Sequence, residues 1–224
     1  RVVDQAQRGL RLGVAGPGSA AMEMAVVNLV EAGDRVLSVV NGYFSGRMAE
    51  MARRAGAEVF ELAVPNGQVA DVDTIARTIR ERAPAVLTIV QGETSNTTWN
   101  RSLCEISRLA SEAGCLVVVD AVCTLSTMPL EMDRWGIDAI ITGGQKGLSS
   151  IPGVSLVAFS SRAFGRIARR RTPTAQWCLD ARLANAFWNE SKYHYTAPTS
   201  GFLALHEALR LVCEETLEAR FERH

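Results

Sequence analysis

Residues 115–146 read CLVVVDAVCTLSTMPLEMDRWGIDAIITGGQK, and two short apolar runs within them decide the fold. The first, Cys115-Leu116-Val117-Val118-Val119, ends in Asp120; the second, residues 137–142, runs into Gly143-Gly144-Gln145-Lys146. Short β-rich runs that are apolar at nearly every position predict strands covered on both faces, and therefore a mainly parallel sheet. Working outward, residues 36–40, 58–64, 85–90 and 154–159 repeat the pattern. Between them, residues 20–31, 44–55, 71–82 and 102–113 carry helical spacing, with Asp71 placed to cap and Asp73 in the first turn. From Asp180 onward the chain is helical in character and stops at Arg220-Phe221-Glu222-Arg223-His224 without a capping signal. The expectation is an α/β fold with helices on both faces of the sheet.

Composition narrows the function classes. The 224 residues carry no net charge, so no basic field points to nucleic acid or to an anionic membrane. The apolar runs are far shorter than the roughly 20 residues needed to span a bilayer. The opening Arg-Val-Val-Asp-Gln has no signal-peptide pattern. Five widely spaced cysteines, without a Cys-x-x-Cys pair, predict reduced thiols in a cytoplasmic compartment, and three histidines argue against a metal site.

In such sheets ligands bind beyond the carboxyl ends of the strands, where Asp120, the 91–95 turn and Lys146 all fall. Lys146 is conspicuous because only Lys192 accompanies it among 24 basic residues. Arginine cannot form an imine, whereas a desolvated lysine becomes a nucleophile. Gly16-Pro17-Gly18-Ser19-Ala20-Ala21 follows a short strand-like run, residues 12–15, and opens a helix, which makes it a candidate phosphate site. The same string satisfies a dinucleotide pattern, but no acidic residue ends the second strand: Asp34 precedes it and Asn41 follows it. Asp120 needs a partner such as a protonated pyridine nitrogen, unless it merely caps a turn. Phe44 could stack on a ring or pack in the core, and Glu93-Thr94-Ser95-Asn96 alone is a polar turn. A helix terminus for phosphate, an aromatic face, a strand-end Asp and a lysine 26 residues beyond it together describe a pyridoxal 5'-phosphate site.

With these strings the chain resembles the class V (fold-type I) pyridoxal-phosphate aminotransferases, in the alanine/serine–glyoxylate (serine–pyruvate) branch. The resemblance covers nearly the whole chain. Besides the two opening strings it rests on Asn41-Gly42-Tyr43-Phe44 and Gly92-Glu93-Thr94-Ser95, and Asp120-Ala121-Val122 with Gly144-Gln145-Lys146-Gly147-Leu148-Ser149 are its most specific parts. It implies Lys146 as the Schiff-base lysine, Asp120 as the pyridinium partner and Phe44 as the ring-stacking aromatic. Gly18 and Ser19 match the phosphate loop with Gln145 beside it, and Thr94 matches a hydroxyl near the ring. Tyr193 and Thr196 match a segment that reaches the cofactor phosphate of a neighbouring subunit, which implies a homodimer with shared sites. Trp177, Phe187, Trp188, Tyr193 and Tyr195 crowd that region, as interface aromatics do. The implied architecture is a seven-stranded large domain. Residues 1–11 are then an N-terminal helix fragment, 12–200 the cofactor-binding domain, and 201–224 the start of a helix leading to a small C-terminal domain absent from this sequence.

The chain departs from the branch at Pro17, where a small residue such as Ser is usual, and at Phe44, where some members carry Trp. Arg11 also runs directly into Leu12, where the family has a longer connection, as if residues were missing. The implied activity moves an amino group from an alanine- or serine-type amino acid to glyoxylate or pyruvate. Pyridoxamine–pyruvate and ureidoglycine–glyoxylate transaminases, kynureninase and cysteine desulfurase share the constellation; a nicotinamide-dependent oxidoreductase and a non-catalytic oligomerising module are the other classes.

Overall fold

The computed structural model describes residues 9–224. In chain order it holds β1 (Leu10–Ala15), α1 (Gly18–Leu29), β2 (Arg35–Val40), α2 (Tyr43–Arg54), β3 (Glu58–Ala63), α3 (Val72–Arg82) and β4 (Val86–Val90). A small ribbon of β5 (Gly92–Glu93) and β6 (Thr98–Trp99) precedes α4 (Leu103–Glu112), β7 (Leu116–Asp120), α5 (Met132–Trp135), β8 (Ala139–Gly143) and β9 (Val154–Phe159). Helices α6 (Ser161–Ala168), α7 (Ala181–Glu190), α8 (Thr199–Glu215) and α9 (Leu217–Arg223) complete the described residues.

Seven strands form one sheet in the order β1-β9-β8-β7-β4-β2-β3. The pairings among β3, β2, β4, β7 and β8 are parallel, and β9 runs antiparallel to both β8 and β1. Successive residues of each strand face opposite layers. Val86, Val90, Val118 and Ile141 pack under α1, α2, α6 and α7, while Leu87, Ile89, Val117 and Val119 pack under α3, α4 and α5. Each fully buried side chain of this kind contributes about 2 kcal/mol of transfer free energy. The expected fold, a mainly parallel seven-stranded sheet between two helical layers, is what the chain adopts.

Two expectations are corrected. Leu10 and Arg11 belong to a strand and not to an N-terminal helix fragment; residues 1–8 of that fragment lie outside the described residues. β1 also runs unbroken across Arg11 and Leu12, which face Ala158 and Val157 in register. The dinucleotide alternative loses its scaffold as well. β1 and β2 lie far apart in the strand order, and β1 has an antiparallel neighbour, so no β1-α1-β2 unit of adjacent parallel strands exists.

Candidate active site

Register places the chemistry at the carboxyl ends of the central strands. Val90 pairs with Asp120, and Asp120 with Ile141, so the segments leaving β4, β7 and β8 emerge side by side. A cleft of about 210 Å³ opens there, and Gly18, Ser19, Phe44, Thr94, Asp120, Gln145 and Lys146 all line it. A larger hollow of about 580 Å³ lies between the α8–α9 region and the face of β1, β8 and β9. Its walls are mostly apolar and it holds none of the predicted site residues.

Asp120 ends β7 and is 4% exposed. Burial pushes its carboxyl up to about 6, although the Val122 N–H donates to Oδ1 at 2.8 Å. The nearby Glu93 charge pushes the same way and Arg47 opposes it. A carboxyl held on a strand end with so little internal compensation is suited to meet a cation arriving in the cleft. Lys146 follows β8 by three residues, in the connection to β9. Its side chain lines the cleft and is exposed.

The opposite wall is the first turn of α1. Gly16 N donates to Gly153 O at 2.9 Å, tying this loop to the start of β9. A Cβ on Gly18 would stand 3.0 Å from Val122 Cγ2, so glycine lets the amides of this turn approach β7. Gln145 Oε1 is buried and has no hydrogen-bond partner among the described residues. Arg47 donates to Ser19 Oγ and lies 5.2 Å from the Phe44 ring centroid.

Two contributors escaped the sequence reading. Arg47 is three residues beyond Phe44, hence on the same helical face, and that spacing was the available signal. Glu93 is buried and accepts from the amides of Phe44, Ser45 and Ser95 and from the hydroxyls of Ser45 and Ser95. Burial alone would raise its carboxyl, but these bonds hold it below the usual carboxylate range. It is an anion set on the positive end of α2, and it fixes where Phe44 stands. No short-range pattern marks it, because its partners on α2 precede it by 48 and 49 residues.

Tyr193 and Thr196 are not in the cleft. Both are exposed, with Tyr193 Oη and Thr196 Oγ1 3.1 Å apart. The aromatic cluster divides: Phe187 stacks on Tyr195 at 6.2 Å within the chain, while Trp177 and Tyr193 are 56% and 78% exposed. Cys123 lines the cleft, but burial, reinforced by Asp120, pushes its thiol up to about 11, and Sγ lies 3.1 Å from Gly92 O. Burial thus favours the neutral thiol, the opposite of the lowered pKa that activates a nucleophilic cysteine.

The groups present fit pyridoxal 5'-phosphate. There is a buried carboxyl for a pyridinium nitrogen, an aromatic face, an amine, and a helix N-terminus with a serine, a partnerless amide oxygen and an arginine beside it. Comparisons with known proteins agree. The family profile described as "Aminotransferase class-V" matches residues 14–224. Alanine–glyoxylate aminotransferase of Oryctolagus cuniculus is 34% identical over 98% of this chain and 57% of its own length. The solved alanine–glyoxylate aminotransferase from Nostoc sp. superposes with a TM-score of 0.93 at 41% identity, covering 96% of this chain and 57% of that one. For ureidoglycine–glyoxylate aminotransferase from Bacillus subtilis the TM-score is 0.92 at 34% identity, over 96% and 56%. The chain thus spans little more than half the length of these relatives, whose fold bears out the fold-type I expectation. It belongs to the class V aminotransferase family, in its alanine/serine–glyoxylate branch.

Proposed function

We propose that the protein is a pyridoxal-phosphate-dependent transaminase that moves an amino group from an alanine- or serine-type amino acid to glyoxylate or pyruvate. The observation that carries this reading is the convergence of Asp120, Lys146, Phe44 and the α1 N-terminus on one cleft. When bound, the cofactor supplies an aldehyde for covalent attachment and a ring that accepts electrons from the substrate Cα. Asp120 holds a proton on the ring nitrogen. Phe44 would offer the ring an aromatic face, and Thr94 would bring a hydroxyl to the same cleft. The first turn of α1, with Gly18, Ser19 and Gln145, holds the phosphate. Lys146 Nζ would hold the cofactor and would also serve as the base that moves the proton at the substrate Cα.

Glyoxylate is favoured as acceptor because it appears in the names of relatives from both the alanine and the ureidoglycine groups, while the amino donor is chosen by the stronger alanine–glyoxylate likeness. The finer organisation is part of the same reading: residues 12–200 bind the cofactor, 201–224 lead towards a small domain, and Tyr193 and Thr196 serve the phosphate of a second copy. The five cysteines are free, and no helix among the described residues is long and apolar enough to cross a membrane, which supports a cytoplasmic home. Borohydride reduction of the cofactor-loaded protein, followed by peptide mapping, should label Lys146, and alanine with glyoxylate should yield pyruvate and glycine. Label on Lys192 instead, or none, would overturn the assignment.

A further inference from the structure

The turn that carries Lys146 is held from beneath by a buried charge. Ser149 N donates to Lys146 O at 2.9 Å, closing residues 146–149, with Ser149 at φ 59°. The next carbonyl, Gly147 O, accepts twice: from Ser126 Oγ at 2.7 Å and from Arg220 Nη2 at 2.8 Å. The same guanidinium donates through Nε to Ser126 O at 3.3 Å, reaches Ser149 Oγ at 3.4 Å, and pairs through Nη1 with Glu215 at 2.7 Å. Arg220 is 3% exposed. A charge that deep persists only when paired and hydrogen-bonded, and here two of its partners belong to the lysine turn.

A carbonyl engaged by a hydroxyl and a guanidinium is fixed more firmly than one facing water. Gly147 follows Lys146 directly inside the turn closed by the Ser149 amide, so anchoring its carbonyl resists displacement of the whole turn, and Lys146 with it, relative to Asp120. Glu215 ends α8 and Arg220 lies in α9, so the C-terminal helices and the lysine turn share one polar network. We infer that Arg220 is a positioning residue for Lys146: it sets the direction in which the lysine leaves its turn and couples that direction to α9. The inference rests on Lys146 being the cofactor's attachment point.

A double-mutant cycle on the full chain tests it, with pyridoxal 5'-phosphate affinity and the borohydride-trapped fraction of bound cofactor as readouts. With Lys146 present, Arg220→Gln should weaken cofactor binding about tenfold, within the range of coupled neighbours, and lower the trapped fraction. In a Lys146→Ala background the same change should alter affinity less than about twofold, because distant effects add while coupled ones do not. An equal loss in both backgrounds would mean that Arg220 supports the cleft as a whole, and no loss in either that it does nothing there; both overturn the inference. If Arg220→Gln does not fold, Ser126→Gly removes the other donor to Gly147 O and should give a smaller loss that likewise disappears without Lys146; a loss that persists overturns the inference. A wild-type protein that binds cofactor no better than Lys146→Ala and traps none would instead remove the attachment reading itself, a failure distinct from these.

Discussion

Burial sets the charge of Asp120 at an energetic disadvantage. Its carboxyl titrates at about 6 in the folded chain against the usual 3.8, because burial disfavours its charge. Between those values the folded state binds more protons than the unfolded one, so this group's contribution to stability falls as pH rises through the interval and stays low above it. The full shift is worth on the order of 3 kcal/mol. Asp120→Asn keeps an oxygen for the Val122 amide and removes the ionisation. The cofactor-free variant should therefore melt above wild type at pH 7.5, with the gap closing towards pH 4, while transamination falls more than about tenfold, at least roughly 1.4 kcal/mol of barrier. Melting curves at the two pH values and a rate assay check both halves. A variant less stable than wild type at pH 7.5, or one within tenfold of its rate, breaks the account.

Among the elements, α2 shows most directly how the fold places a side chain at the site. Glu93 grips its first amides from the β5 ribbon, and the space between them has no room for another atom. A Cβ on Gly42 would stand 2.4 Å from Glu93 Cγ and 2.6 Å from Ser95 Oγ. Gly42→Ala should push Glu93 off the helix terminus, cost about 1–3 kcal/mol and weaken cofactor binding through Phe44. A melting temperature and a cofactor affinity both equal to wild type would show that this end of α2 is not pinned. The buried strands were legible because burial on both faces demands unbroken apolar runs, as in residues 116–119. The direction of β9 was not, because an antiparallel strand covered on both faces has the same composition. Leu10 and Arg11 escaped because Arg11 lies on an edge strand, where alternate positions are exposed. Asp120 and Lys146 were legible because a polar residue closing an apolar run is costly without a purpose. Glu93 was not, since its purpose lies on another element.

At the scale of the molecule, the proposed sharing of sites between two copies turns on Tyr193 and Thr196. Tyr193 and Thr196 face outward with their hydroxyls paired, away from their own chain's cleft. If they serve a second copy, chains carrying Lys146→Ala and chains carrying Tyr193→Ala with Thr196→Ala should complement. Hybrid dimers would hold one intact site, and their activity should exceed that of either parent; silence from confirmed hybrids would return the phosphate ligands to the lysine's own subunit. The scarcity of lysine reaches further, because both lysines lie in connections between elements, Lys146 between β8 and β9 and Lys192 just beyond α7. Lys192 is exposed, its amine on Glu190 at 2.8 Å, and Lys146 is exposed at the cleft. Once the chain is unfolded, a protease that cleaves only after lysine can cut it at just two peptide bonds, after Lys146 and after Lys192. Cofactor fixed at Lys146 by borohydride should silence one and leave the other, so a gel of the digest would report the proportion of loaded chains: fragment 1–192 from loaded protein, fragment 1–146 from protein without cofactor.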